Sequence, residues 1–390
     1  MPERYVSLCL QVGEHFEDFV DAYIGPAALR EEIVAGEPRE PAALRDDALV
    51  LLEELPAADL EPDRVRWLRG QLEAVECVTA RLAGEEIVWS DEVERCFGIR
   101  PRHVDEDVFR ASHRNLDDAL PGNGDLSARY NAWRDSTNVP GEVLPRAIEL
   151  LASDLRRRAR DVVALPRDET VEWATVTDVT WQAFNWYRGD LHSLVQVNVD
   201  LPVTVFDLAD LVAHEAYPGH HTERACKEEI LYRGGARAET SVMVLLAPEA
   251  VVAEGIATNA LDVAVGEEGI GAVLDVVAGL GLGADPATAA VVLAEEERLF
   301  AAATNAARML HEDGLSTSDA ESYLREWALQ SPERAAKTVS FLLDPGTRAY
   351  PTAYTDGRRV CREFMDREPG GFRRLLTEQL TVSSLLDAGT

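Results

Sequence analysis

The segment Leu211-Val212-Ala213-His214-Glu215-Ala216-Tyr217-Pro218-Gly219-His220-His221-Thr222-Glu223 holds three of the chain's eight histidines. Val205, Leu208, Leu211 and Val212 have helical spacing, so His214 falls near the end of a helix. Two imidazoles that bind one zinc ion from one helix face stand at i and i+4, with Glu at i+1 as general base. Here i+4 is Pro218, and that pattern fails. On an uninterrupted helix His214 and His221 share a face. A rise of roughly 1.5 Å per residue nevertheless sets them about 10.5 Å apart along the axis, too far for one ion. Pro218-Gly219 resolves the conflict if the helix breaks or bulges there. Proline removes an i→i−4 bond, and glycine accepts a displaced backbone. Two residues looped out put His220 where the usual i+4 ligand sits. His221 then points elsewhere, to substrate or behind the metal ligands. The plain alternative is a histidine-rich helix end, with imidazoles meeting carbonyls and the helix dipole. Three histidines, an adjacent Glu and a Pro-Gly break favour a metal.

Downstream, Pro248 can open a helix that continues Glu249-Ala250-Val251-Val252-Ala253-Glu254-Gly255-Ile256-Ala257. Glu254 lies in the middle of this largely apolar run. A buried carboxylate needs a cation or a base beside it, so Glu254 is a candidate third ligand, or the partner of an arginine. Gly255 would let the helix pack closely on the His-bearing one.

Helical periodicity dominates the rest of the chain. Apolar spacing predicts helices over 42–55, 65–82, 145–162, 287–310 and 320–329, the last introduced by the cap-rich cluster at Ser316. Residues 194–199 read differently. Leu-Val-Gln-Val-Asn-Val alternates apolar and polar, a half-buried strand with Gln196 and Asn198 on its polar face. Residues 171–179 are a second candidate strand. The expectation is a mainly α protein with a small sheet beside the His-bearing helix. A soft boundary near Leu165-Pro166 would separate a helical cap, 1–165, from the chemical part, 166–390, within one continuous unit.

The chain has 390 residues, 46% hydrophobic and 28% charged, which is globular rather than disordered. Against 38 Lys+Arg stand 70 Asp+Glu, a net charge of −32. Such a surface repels phosphate, so neither nucleic acid nor an anionic membrane is expected as a partner. Only Lys227 and Lys337 are lysines. The balance fits GC-rich coding and also a salt-adapted surface, where ions screen the self-repulsion. Five scattered cysteines with no C-x-x-C pair argue against disulfides and against a thiolate zinc site, and point to a reducing compartment. The start Met1-Pro2-Glu3-Arg4 shows no signal-peptide pattern, and no apolar run approaches the ~18 residues of a membrane span. A soluble, cytoplasmic protein is expected.

The octet His214-Glu215-Ala216-Tyr217-Pro218-Gly219-His220-His221 resembles the signature of the bacterial and archaeal family labelled domain of unknown function 885. Glu254-Gly255-Ile256-Ala257 is similar to its second signature. Arg348-Ala349-Tyr350-Pro351-Thr352-Ala353-Tyr354-Thr355-Asp356-Gly357 is similar to its third. The three elements cover most of the chain from residue 194 onward. The N-terminal half matches only in its helical, acidic character. The resemblance implies a mainly α, gluzincin-like zinc metallohydrolase with one Zn2+ per chain. It implies His214, His220 and Glu254 as ligands, Glu215 as general base and Tyr354 as donor to the oxyanion.

The expected activity is hydrolysis of an amide bond, in a short peptide or small amide, by metal-activated water. His221 and Asn198 are candidate substrate contacts. The 194–199 strand could pair with an extended substrate backbone. Arg348, Arg358 and Arg359 could receive a carboxylate, although arginines in so acidic a chain also serve as structural ion pairs. His311 is a weaker site candidate. Two rival readings keep the same residues. Two His and one carboxylate also bind iron(II) in oxygenases. A non-enzymatic helical binding module could hold a structural metal or none.

Overall fold

Each predicted helix forms where its apolar stripe can be buried. In the computed structural model, which describes residues 1–16, 19–179, 181–200 and 202–387, these helices run Pro41–Glu54, Pro62–Leu82, Leu144–Val162, Pro286–His311 and Thr317–Trp327. Four of them carry proline in the first turn, where its missing N–H has no helical acceptor to lose. The Ser316 hydroxyl accepts from the Asp319 amide at 3.2 Å and caps the fifth. The protein is mainly α, with small sheets of two and three strands.

The described strands are β1 (Val20–Tyr23), β2 (Thr170–Val176), β3 (Ala183–Gly189), β4 (His192–Asn198) and β5 (Val242–Val244). The three-stranded sheet has the order β2-β4-β3, with β4 parallel to β2 and antiparallel to β3. Val195 and Val197 of β4 are buried as the alternation requires. As the central strand, β4 has partners on both sides. It cannot take up a substrate strand, which corrects that expectation; β3 lies at the sheet's edge. Asp190 and Leu191 join β3 to β4 with φ of +53° and +63°, the mirror-image turn that suits the twist of a two-residue hairpin. The Glu228 carboxylate accepts from both amides, at 3.1 and 3.4 Å, and holds this turn against its steric cost.

One contiguous apolar core extends from Tyr5 to Leu385, crossing the soft boundary near residue 165. Strand β1 pairs with β5, and buried Glu92 sits between Arg81 and Arg348, so the N-terminal helices are tied into the rest. At the centre lies the Pro248–Val265 helix, buried on nearly all sides. It packs against the Pro351–Arg367 and Val205–Glu215 helices. Gly255 serves the first of these contacts. A Cβ there would lie 2.4 Å from both Cys361 Sγ and the Gly357 carbonyl oxygen. The expected closeness to the His-bearing helix is thus corrected: the glycine accommodates the Pro351–Arg367 helix. Among the described residues no helix is long and apolar enough to cross a membrane. All five cysteines are free and buried.

Candidate metal centre

The Val205–Glu215 helix stops at Glu215, and a new helix begins at His220 and runs to Lys227. The hydrogen bonds show how the join is made. The Gly219 amide donates to the Ala213 carbonyl at 2.9 Å, and the Thr222 amide to that of Ala216 at 3.2 Å. Each spans six residues where a helix spans four, so two residues are looped out between His214 and His220. Gly219 is required by contact. A Cβ there would lie 2.0 Å from the His214 carbonyl oxygen and 2.4 Å from that of Ala213. The two imidazoles, which the sequence holds six residues apart, meet with ring centroids 4.7 Å apart.

Glu254 faces them from the central helix. Its Oε2 lies 3.4 Å from His214 Nε2, and its Oε1 lies 3.6 Å from His220 Nε2. One potential ligand atom from each of the three residues lies within 4.8 Å of the others. The cluster fits a divalent cation in a further respect: buried Glu254 Oε2 and His220 Nδ1 have no hydrogen-bond partner among the described residues. Glu254 Oε1 accepts from the Tyr350 hydroxyl at 2.7 Å, which fixes the carboxylate's orientation.

Burial shapes the charges here. It pushes His220 down to about 3, so this imidazole is neutral. It also lowers His214, but the Glu254 carboxylate beside it and the charge of Glu215 carry that ring up to about 9. Burial lifts the Glu215 carboxyl to about 7, with His214 and Arg224 opposing and Glu254 and Asp21 adding. Tyr354, lifted well above 10 by burial and by Glu254, keeps its proton. Its ring centroid lies 6.3 Å from that of His214, and its hydroxyl makes no hydrogen bond among the described residues. Exposed Phe300 stands beside it.

Behind the cluster, a buried scaffold holds the looped-out segment. Glu169 accepts from the Tyr217 hydroxyl at 2.6 Å, from Arg156 Nε at 2.7 Å and from His221 at 3.1 Å. Asn185 on β3 donates to the Glu215 carbonyl at 2.5 Å. His221 is therefore not a substrate contact. Fully buried, it spans from Glu169 to the Ser193 hydroxyl at 2.8 Å and locks the second helix to the sheet. Asn198 is corrected likewise. Its amide donates to the Val179 and Trp181 carbonyls, and its oxygen accepts from the Asp200 amide, so it is spent on the loop between β2 and β3. Arg348 is bound to Glu92, and Arg358 to Asp262 and Glu297; neither is a free carboxylate receptor. Arg359 pairs with Asp356 and Glu363, and His311 bonds the Leu342 carbonyl at 2.7 Å.

Several site residues escaped the sequence reading. Tyr350 precedes Tyr354 by four positions, a helical spacing that could have flagged it. Arg224 follows His220 by four in the same way. Glu169, Asn185 and Asp21 carry no local signal at all.

No protein-family model matches the chain, and no curated protein matches it. Solved structures do resemble it. A "putative lipoprotein" from Colwellia psychrerythraea is 15% identical with a TM-score of 0.56, over 87% of this chain and 65% of that one. A "putative lipoprotein of unknown function" from Shewanella oneidensis is 11% identical with a TM-score of 0.51, over 92% of this chain and 75% of that one. The chain thus spans 65% of the length of the first of these relatives. At such identities the likeness establishes a shared fold, and nothing of the chemistry.

Proposed function

We propose that this chain is a zinc-dependent hydrolase that cleaves an amide bond in a short peptide, with the resemblance to the domain of unknown function 885 family as its lineage. The observation that carries the reading is the meeting of His214, His220 and Glu254 beside a buried Glu215. His214, His220 and Glu254 would hold the ion through two nitrogens and a carboxylate. Such a set leaves a position open, which is the mark of a catalytic rather than a structural zinc site. A bound zinc would supply Lewis acidity and bring the pKa of a water towards ~7.

The rest falls to the protein's own groups. Glu215, raised to about 7, is matched to taking a proton near neutrality and returning it to the leaving amine. Tyr354 retains its proton, and its hydroxyl, without a hydrogen-bond partner among the described residues, would donate to the oxygen that gains charge. The edge of β3 replaces that of β4 as the place where an extended peptide backbone could pair. The five free cysteines favour a reducing compartment, and we place the protein in the cytoplasm on that ground.

The test is metal content by mass spectrometry with His220→Ala, Glu254→Ala and Glu215→Gln. The first two should lose about one zinc per chain. The third should keep the zinc and lose turnover of a peptide library. A parent that takes up no zinc would leave the reading without its nucleophile.

A further inference from the structure

Arg224 is one helical turn beyond His220 on the His220–Lys227 helix, hence on the same face. Its side chain is nine-tenths buried, at 10% exposure. Nη2 bonds Asp21 of β1, itself 3% exposed, while Nε and Nη1 are buried with no partner among the described residues. The guanidinium lies among the site groups. Its charge acts on His220 and Glu215, and Tyr350 and Asp21 act on it in turn. A guanidinium carries five N–H donors in a planar fork suited to carboxylates, and burying donors unpaired is costly. Elsewhere in this protein buried or half-buried arginines meet that cost with carboxylates. Glu92 serves Arg81 and Arg348, and Asp207 and Glu296 serve Arg134. At Arg224, among the described residues, Asp21 alone is bonded, Glu223 adds its charge, and two nitrogens keep unpaired donors.

We propose that Arg224 receives a carboxylate of the substrate beside the His214–His220–Glu254 cluster, so that the preferred substrate is a peptide with a free carboxylate near the cleaved bond. This rests on the hydrolase reading and narrows it. A net charge of −32 repels a free carboxylate from the surface at large, which makes a dedicated cation at the site the means of holding one. The carboxylate is the chain terminus or an acidic side chain, and the probes below separate the two.

The test uses the full zinc-loaded chain bearing Glu215→Gln, so that binding is read by calorimetry without turnover. Three probes serve: N-acetyl-trialanine acid, its C-terminal amide, and N-acetyl-Ala-Ala-Glu amide. One of the two acids should bind roughly tenfold or more tighter than the amide, as a hydrogen-bonded charge pair gives. Arg224→Gln should abolish that preference with zinc content unchanged, and Arg224→Lys should restore part of it. Should Arg224→Gln fail to fold, Asp21→Asn/Arg224→Gln removes both charges together. The acid–amide comparison on the Arg224-containing chain needs no further variant. Equal binding of acids and amide, no binding of any probe, or a preference that survives Arg224→Gln overturns the proposal. The two readings fail separately. Hydrolysis of acid and amide at equal rates by the parent sinks the carboxylate site and leaves the hydrolase. Discrimination in binding with no hydrolysis by the parent sinks the hydrolase and leaves the site.

Discussion

On the proposed zinc reading, Gly219→Ala should cost metal binding more than the fold. The added Cβ would lie 2.0 Å from the His214 carbonyl oxygen, where ordinary van der Waals contact begins at 3.4 Å. The overlap is therefore about 1.4 Å, and the opposing atoms are backbone with no rotamer to escape into. The segment must retreat by a comparable amount, breaking the 2.9 Å bond from the Gly219 amide to Ala213. His220 is the next residue and moves with it. Zinc–nitrogen distances tolerate about ±0.2 Å, so such a shift exceeds what two imidazoles on one ion can absorb. The stability loss is about 2–4 kcal/mol, from one hydrogen bond and the overpacking strain. Zinc affinity should fall by a factor of about 100 or more, as misplacement on the 1 Å scale does in preorganised sites. Gly271→Ala is the control. It lies in the Gly269–Val277 helix, and its Cβ would meet nothing within 4 Å. That variant should gain up to ~1 kcal/mol through helix propensity, with zinc binding unchanged. Competition with a zinc chelator, together with denaturant unfolding, measures both quantities. A Gly219→Ala chain that binds zinc as the parent does would refute the looped-out geometry as the device that brings the histidines together.

Three further outcomes are expected. Tyr350→Phe removes the 2.7 Å bond to Glu254 and should weaken zinc binding about 10- to 100-fold in a chelator competition, with the helix content unchanged by circular dichroism. Glu169→Gln should cost about 1–3 kcal/mol at pH 7 in urea unfolding. Burial alone would raise the Glu169 carboxyl, but His221, Tyr217 and Arg156 hold it below 4.5. Its contribution is therefore complete above pH 4.5 and lost as pH falls through its folded value, so the gap between parent and variant should close below pH 4.5; a gap constant to pH 3.5 would contradict this. Finally, the excess of 70 acids over 38 bases predicts a melting temperature that rises between low and molar salt; an unchanged one would show that self-repulsion does not limit stability.

Much of the architecture is local and so was legible. Helical spacing located Pro62–Leu82 and Pro286–His311 within a few residues, because an apolar stripe at a 3.6-residue period has one way to be buried. Alternation located β4 for the same reason. Strand β3 was missed. Phe184 and Trp186 on its outer face are as apolar as its inner residues, and its turn sets Asp190 and Leu191 at the two central positions, with Gly189 one residue too early. Strands β1 and β5 are short and pair across more than two hundred residues, which no window of sequence records.

At the candidate site the division is similar. The octet from His214 to His221 contains its own conflict, a proline where a ligand is wanted. The backbone resolves it by looping two residues out, which brings His214 and His220 together. What the octet cannot state is which histidine is held back. That is decided by Glu169 and Ser193, which draw His221 into the sheet, and by Asn185, which holds the Glu215 carbonyl. The arginines were misassigned for a related reason. Arg348, Arg358 and Arg224 are alike in sequence, and their roles depend on how many carboxylates the fold brings to each. The linear chain alone specified a mainly α protein and marked His214, His220 and Glu254 as candidate ligands, since periodicity and spacing act within a turn or two of helix. That Glu254 meets the two histidines, and that Tyr350, Asp21 and Arg224 join them, came from the fold, because their meeting depends on the packing of the Pro248–Val265 and Pro351–Arg367 helices and β1 around one core.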